Sequence, residues 1–241
     1  MALRSDAAMV LFYEIGGEWA DHDDWHSYEH FHERLSVPGF LRATRWVTNG
    51  ESPRYMVIYE VSGTDIATSP AYLERLNDPT AWTRSIMPRF RGMTRGFCNI
   101  IAGAGFGLGA SAIALRFEIR KETRQALVDW LSNDALPAAL AFRGVASALL
   151  MEPLPQPPMT REQALRGQDT PLSWVLVVTG YDQDALEAAV TACLPIEELE
   201  KRGGEEARVT HYQLDYTADA EEVARTPKPP PLEPKGRKRH P

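Results

Sequence analysis

Residues 40–61 read FLRATRWVTNGESPRYMVIYEV, two runs rich in β-branched and aromatic residues on either side of the turn signal Asn49-Gly50. Residues 40–48 and 54–61 therefore predict adjacent antiparallel strands, because Asn-Gly accepts the backbone angles that a tight hairpin demands. Upstream, residues 9–15 read as a strand. Asp21, Asp23 and Asp24 then put acidic side chains at the start of a helical segment that stops at Val37-Pro38-Gly39. Downstream, helical stretches at 69–76 and 81–90 lead to a strand at 94–102. The hairpin thus sits between two helical crossings, in the order strand, helix, strand, strand, helix, strand.

The same order returns in the second half. Strands are predicted at 113–120, 145–151, 174–180 and 208–216, with helices at 122–140 and, interrupted at Pro195, at 185–201. A split βαβ unit of about 100 residues is the ferredoxin-like pattern. The chain therefore reads as α+β, with two tandem ferredoxin-like βαββαβ units whose sheets pack face to face as an intramolecular pseudo-dimer. The expected divisions are 1–103, a glycine-rich linker at 104–110, 111–218, and an extended proline-rich basic tail at 219–241. Gly103, Gly105, Gly107 and Gly109 do not make a phosphate loop, since a strand rather than a helix follows them. One departure breaks the repeat. Between the second and third strands of the second unit, about twenty proline-rich residues, 152–172, replace the hairpin, and loops of that length are usually functional or disordered.

With 241 residues, 44% hydrophobic and 24% charged, the chain can bury a sizeable core. No apolar run approaches the roughly 20 residues needed to cross a bilayer, and no signal-like segment opens the sequence. Cys98 and Cys193 lie in different halves and apolar contexts, which predicts free thiols and a reducing, cytoplasmic setting. The net charge of −7 is concentrated in the body, because the tail holds Lys228, Lys235, Arg237, Lys238 and Arg239 against Glu233 alone. An acidic body argues against nucleic acid as the main partner.

Four of the six histidines, His22, His26, His30 and His32, fall in DHDDWHSYEHFHERLSVPGF, residues 21–40. At 100° per residue His22, His26 and His30 form one stripe, and Trp25, Tyr28, Phe31 and Leu35 form another nearly opposite. A regular helix turns the aromatic stripe to the sheet and the histidine stripe outward, with His32 at the edge of the inward face. Histidines four apart can chelate a metal, with Asp21, Asp23 and Glu29 as further ligands. A solvated polar face is the preferred reading, because no second ligand cluster appears, and no metal is expected. His32 is either a hydrogen-bonded core residue or a proton-transfer group in a pocket.

Tyr28-Glu29-His30-Phe31-His32-Glu33-Arg34-Leu35, followed by Val37-Pro38-Gly39-Phe40, resembles the first helix of EthD-like members of the dimeric α/β-barrel superfamily, where an EHxP element precedes a PGF or PGV turn. Glu29 and His30 match it, and His32 stands where proline is usual. The likeness continues through Arg45-Trp46, residues 54–60, 68–72 and 77–84, and so covers most of residues 9–100. The resemblance implies a cavity between sheet and helices for small, often aromatic or polyketide-like molecules. Relatives include cofactor-independent monooxygenases, cyclases, isomerases and lyases beside haem-binding branches, and fold alone does not choose among them.

The leading expectation is an enzyme without cofactor, using His30 or His32 with Glu60 for general acid/base chemistry on a small aromatic, phenolic or polyketide-like substrate, of lyase, isomerase or monooxygenase type. Tyr13, Trp25, Tyr28, Tyr59, Trp82 and Arg84 are the expected substrate contacts. On the first and third strands, Tyr13 and Glu14 point to opposite faces, as do Tyr59 and Glu60, so one of each pair meets the helices. For the glutamates, a surface ion pair with Arg42, Arg45 or Arg54 competes with a catalytic role. The alternatives are a non-catalytic small-ligand-binding or stress-related protein, and a haem protein with His30 or His32 as axial ligand. The second unit carries no histidine on its first helix, which predicts an active first half and a scaffolding second half. Outer sheet edges leave room for a homodimer.

Overall fold

The computed structural model describes residues 3–226, and the basic run expected in the tail lies outside the described residues. Strands β1 (Ala7–Ile15), β2 (Phe40–Val47), β3 (Tyr55–Val61) and β4 (Phe90–Gly105) belong to the first half. Strands β5 (Ser111–Ile119), β6 (Val145–Pro153), β7 (Thr170–Pro171), β8 (Trp174–Gly180) and β9 (Gly204–Asp219) follow. The sheet order is β1-β3-β2-β9-β5-β8-β6-β4-β7, and β1 also pairs with β4, so all strands but β7 close into an antiparallel barrel. The order β4-β1-β3-β2 in the first half recurs as β9-β5-β8-β6 in the second. The halves join through β2–β9 and β4–β6. A closed sheet leaves no long edge to pair elsewhere.

Two strands outrun their expected lengths for one reason. β4 and β9 must each pair within their own half and then reach across to β2 or β6 of the other, and both run 16 residues. Gly103 and Gly105 are consequently part of β4, and the connection to β5 is shorter than the linker read from the glycines. Likewise, the segment after residue 219 does not begin as extended tail. Ala220–Arg225 is a helix, started by a capping box in which Asp219 accepts from Glu222 N and Glu222 accepts from Asp219 N.

Side-chain alternation divides the core into three. Ala8, Val10 and Phe12 of β1 and Met56 and Ile58 of β3 point into the barrel, where they meet Ala112, Ala114, Val175 and Val177 of the second half. The opposite parity, Met9, Tyr13, Tyr55, Val57 and Tyr59, faces the first-half helices. Ile113, Leu115, Phe117, Leu176 and Val178 face the second-half helices. The barrel interior is therefore a filled core, and open space lies outside it, under a helix.

The first long helix, residues 19–35, is two α segments, Trp19–Trp25 and Phe31–Leu35, around a π turn at His26–His30, where Phe31 N donates to His26 O. Its second-half counterpart repeats the irregularity in place: Arg124–Trp130, a π turn at Leu131–Ala135, then Leu136–Leu140. Both helices hand over to a strand through a glycine at φ 95°, Gly39 and Gly144, a conformation that L side chains resist.

Candidate functional site in the first half

The π turn overturns the expected helix orientation. One extra residue in a turn sets the helical phase back, so the histidine line and most of the aromatic stripe share the sheet-facing side. His22, His26 and His30 are buried together with Trp25, Phe31 and Leu35, whereas Tyr28 is turned out, 36% exposed. The solvated polar face read from a regular helix does not exist.

Beneath this helix a cavity of about 410 Å³ between the atoms, mouth included, lies against the outer face of β1 and β3. His26, His30 and Arg34 line one side, Tyr13 and Tyr59 the strand side, and Trp25, Tyr72 and Phe90 complete an aromatic wall. As the side chains stand, the free room takes roughly two waters. At the matching places of the second helix stand Leu127, Leu131, Ala135 and Ala139, all buried in an apolar core where the first helix has His22, His26, His30 and Arg34.

The polar groups form two hydrogen-bonded sets. Tyr13 Oη shares a hydrogen bond with His22 Nε2 at 3.2 Å, His22 Nδ1 lies 3.0 Å from Asp23 Oδ1, and the Tyr55 hydroxyl donates to that same oxygen at 2.9 Å. His26 Nε2 and Tyr59 Oη are 3.1 Å apart. Trp25 stands between these groups, its centroid 4.4 Å from that of His30, its Nε1 donating to Thr83 Oγ1. Among the described residues His26 Nδ1 and His30 Nδ1 are buried with no hydrogen-bond partner. Burial, then the nearby Arg45, hold His26 well below the ordinary imidazole range; burial, then Arg34, do the same for His30. Burial also lowers His22, against the opposing pull of Asp23. Burial pushes the phenols of Tyr13 and Tyr59 up. At neutral pH the cavity thus holds uncharged imidazoles and protonated tyrosines.

Its roof comes from the other half of the chain. Residues 154–172 cross from the end of β6 to the first half as a strap that carries a short helix, Arg161–Ala164, and strand β7. β7 pairs with β4 in parallel at Thr94 and Arg95, Leu154 N donates to Phe97 O at 2.8 Å, and Arg161 N donates to Asn77 Oδ1 at 3.1 Å. Glu162, Gln163 and Arg166 thereby line the cavity. Arg34 Nη2 donates to both carboxylate oxygens of Glu162, at 2.5 Å each. Arg166 donates from Nε and Nη2 to Asp169, which also faces Arg95 Nη1 at 3.8 Å, and Arg95 Nη2 donates to Tyr72 Oη at 2.9 Å. The strap is the long loop that interrupts the sequence repeat.

Of the residues expected from sequence, the structure brings His30, Trp25, Tyr13 and Tyr59 to the cavity and leaves five outside it. His32, beyond the π turn, lines a separate groove against the helix Ala220–Arg225, its Nε2 3.5 Å from Thr226 O. Glu60 follows Met56 and Ile58 in parity, away from the helices, and its carboxylate accepts from Arg42 Nε and from Arg4 N. That ion pair is the competing reading given above. Tyr28 lies over an outer groove with Asp24 and Tyr216. Trp82 is half-buried against the first-half core, and Arg84 is exposed on a helix surface, Ala81–Ile86. Reading the sequence missed Arg34, Tyr72, Arg95, Glu162 and Arg166. The available signal was the substitution of Leu and Ala for His and Arg between the two matching helices.

Among the described residues no three His, Cys, Asp or Glu side chains are grouped to hold a metal, and no helix is long and apolar enough to cross a membrane. Of the two histidines expected as axial ligands of a haem, His30 lines the cavity and His32 lies outside it, and as the side chains stand the free room is smaller than a macrocycle.

Solved structures share this architecture. An anthrone oxidase-like protein matches with a TM-score of 0.62 at 12% identity, over 92% of this chain and 97% of that one. A monooxygenase-type protein of Lactobacillus acidophilus NCFM matches at 0.56 and 10% identity, over 89% and 96%. Another, of Fusobacterium nucleatum, matches at 0.53 and 10%, over 90% and 96%. At such identities the likeness establishes the fold. No protein-family model and no curated sequence matches the chain.

Proposed function

We propose that the chain is a cofactor-independent oxygenase-type enzyme that oxidises a small enolisable or phenolic aromatic compound, with His30 as the proton acceptor. The observation that carries this reading is the pair of buried, uncharged imidazoles with unpartnered Nδ1 atoms in an aromatic-walled cavity, at places where the matching helix has Leu131 and Ala135. The monooxygenase and oxidase-like character of structures with this fold agrees with it.

The chemistry follows from the electrostatics. A neutral imidazole accepts a proton, but burial and the Arg34 guanidinium oppose formation of imidazolium, so the donor must be acidic: a phenol, an enol, or a CH2 flanked by aryl and carbonyl groups. Proton transfer to His30 leaves an aromatic enolate beside the imidazolium that forms, an ion pair in a site sheltered from water. Tyr59, fixed by His26, donates to a substrate oxygen and orients the ring, while Trp25 and Tyr13 supply walls. The electron-rich enolate reduces dioxygen, so that a CH2 group plus O2 gives a carbonyl plus water. A protein that only binds such compounds would need no unpartnered base.

The two halves read as copies of one unit of EthD-like type, the second retained as scaffold. Matching strand orders, matching π turns, and the coincidence of Trp25 with Trp130, Ser27 with Ser132 and Gly39 with Gly144 support this. A cytoplasmic setting accords with the free thiols of Cys98 and Cys193.

Oxygen uptake with an anthrone or related hydroxyaromatic panel tests the function. His30→Ala is expected to lower turnover at least 100-fold while ligand binding persists. Turnover that survives in His30→Ala refutes the assignment.

A further inference from the structure

The strap does more than cover the cavity, because it completes an incompletely neutralised cluster of charges. Three guanidiniums, Arg34, Arg95 and Arg166, gather there against two carboxylates, Glu162 and Asp169. With the imidazoles uncharged, the cluster carries one positive charge in excess. Its most deeply placed member, Arg34, is 2% exposed, and while its Nη2 serves Glu162, its Nη1 is buried with no hydrogen-bond partner among the described residues. An unpartnered donor on a buried cation is expensive, and an acceptor on a ligand would satisfy it.

We infer that the cavity takes an aromatic carboxylate, whose carboxylate group lies at Arg34 Nη1 and supplies the missing negative charge. This rests on the cavity being the substrate site proposed above and names the class of molecule it accepts. A carboxylate suits Nη1, whose N–H donors are left without a partner while Glu162 holds Nη2. The rest of the cavity is flat and aromatic: Trp25, Tyr59 and Phe90 receive a single ring, which then lies beside His30. The free room is smaller than such a ring, so the wall side chains repack to admit it while the strap keeps its place. Glu162 stays on Nη2 and keeps Arg34 aimed. A neutral phenol of the same shape fills the same walls and leaves both Nη1 and the excess charge unsatisfied.

Calorimetric titration of the full-length protein with salicylate and with its neutral isostere salicylamide tests this. The expected result is salicylate binding at least tenfold tighter than the amide. Arg34→Met alone strands a buried Glu162, so the informative variant is Arg34→Met/Glu162→Gln, which removes both members of the pair, leaves neither stranded and keeps the one excess positive charge of the cluster, so that it isolates the contact at Nη1. In that variant the salicylate preference is expected to vanish while amide affinity is retained. Equal binding of both compounds by the unaltered protein, absence of binding by either at millimolar concentration, or an unchanged salicylate preference in the double variant overturns the inference. Salicylate preference without turnover on any aromatic acid overturns the catalytic proposal alone, and turnover on neutral phenols without salicylate preference overturns this one alone.

Discussion

Lowering the pH from 7.0 to 5.5 perturbs the histidine helix selectively, and the size of the effect follows from where the imidazoles lie. In the unfolded chain each titrates near 6.5, whereas burial, followed by Arg45 for His26 and Arg34 for His30, holds both well below that value in the fold. The unfolded state therefore binds the additional protons. Stability is complete above pH 6.5 and is lost as the pH falls from there toward the folded-state values. Between pH 7.0 and 5.5 each such histidine costs the fold at most about 1.25 kcal/mol, so His26 and His30 together cost at most about 2.5 kcal/mol. His22, lowered by burial but supported by Asp23, adds to the loss in the same direction. For a chain of this size that is a fall in Tm of at most about 5–10 °C. Thermal unfolding followed by near-UV circular dichroism at the two pH values measures it. The control carries the residues of the matching helix, His26→Leu/His30→Ala, and should lose up to about 2.5 kcal/mol less over the same interval. Asp23 and Asp169, whose carboxyls are held low by His22 and Arg166 against the opposing effect of burial, lose their contribution only at lower pH. An equal loss in the parent and the double variant would refute the claim that these imidazoles are buried uncharged.

Two further outcomes test the division of labour between the halves. A methyl group at Gly96 would come within 2.8 Å of Leu172 Cβ, so Gly96→Ala should loosen the strap. Limited proteolysis is expected to cut residues 154–172 several-fold faster while the barrel's unfolding midpoint changes little. Leu131→Ala, at the place corresponding to His26, should cost about 2–5 kcal/mol in denaturant titration, as core truncations do. Turnover per folded molecule should stay unchanged, since this residue belongs to a core without a cavity.

The hairpin at residues 40–61, the doubled element order and the aromatic content of the strands were legible because each rests on local pattern: period-two alternation, Asn-Gly, proline and glycine stops. The facing of the histidine helix was not, because the 100° rule assumes one hydrogen-bonding pattern throughout. The His26–His30 turn breaks it without any proline or glycine to mark the break. Tyr13 and Tyr59 were placed by alternation alone. Glu60 obeys the same rule, and its partners Arg42 and Arg4 decide its role. The pairing of Arg34 with Glu162 spans a separation that no local pattern encodes. Its traces in the sequence were the arginine at position 34 where the matching helix has Ala139, and the unusual length of the segment that brings Glu162 there.

In an assembly of two identical chains every substitution is made twice, so a residue that benefits one site is imposed on its twin. Here the lid of one hollow is spun from the opposite half of a single polypeptide, and the opposite hollow is plugged with leucine and alanine. Covalent linkage lets the two lobes diverge, one supplying cover and buttress and the other the hollow.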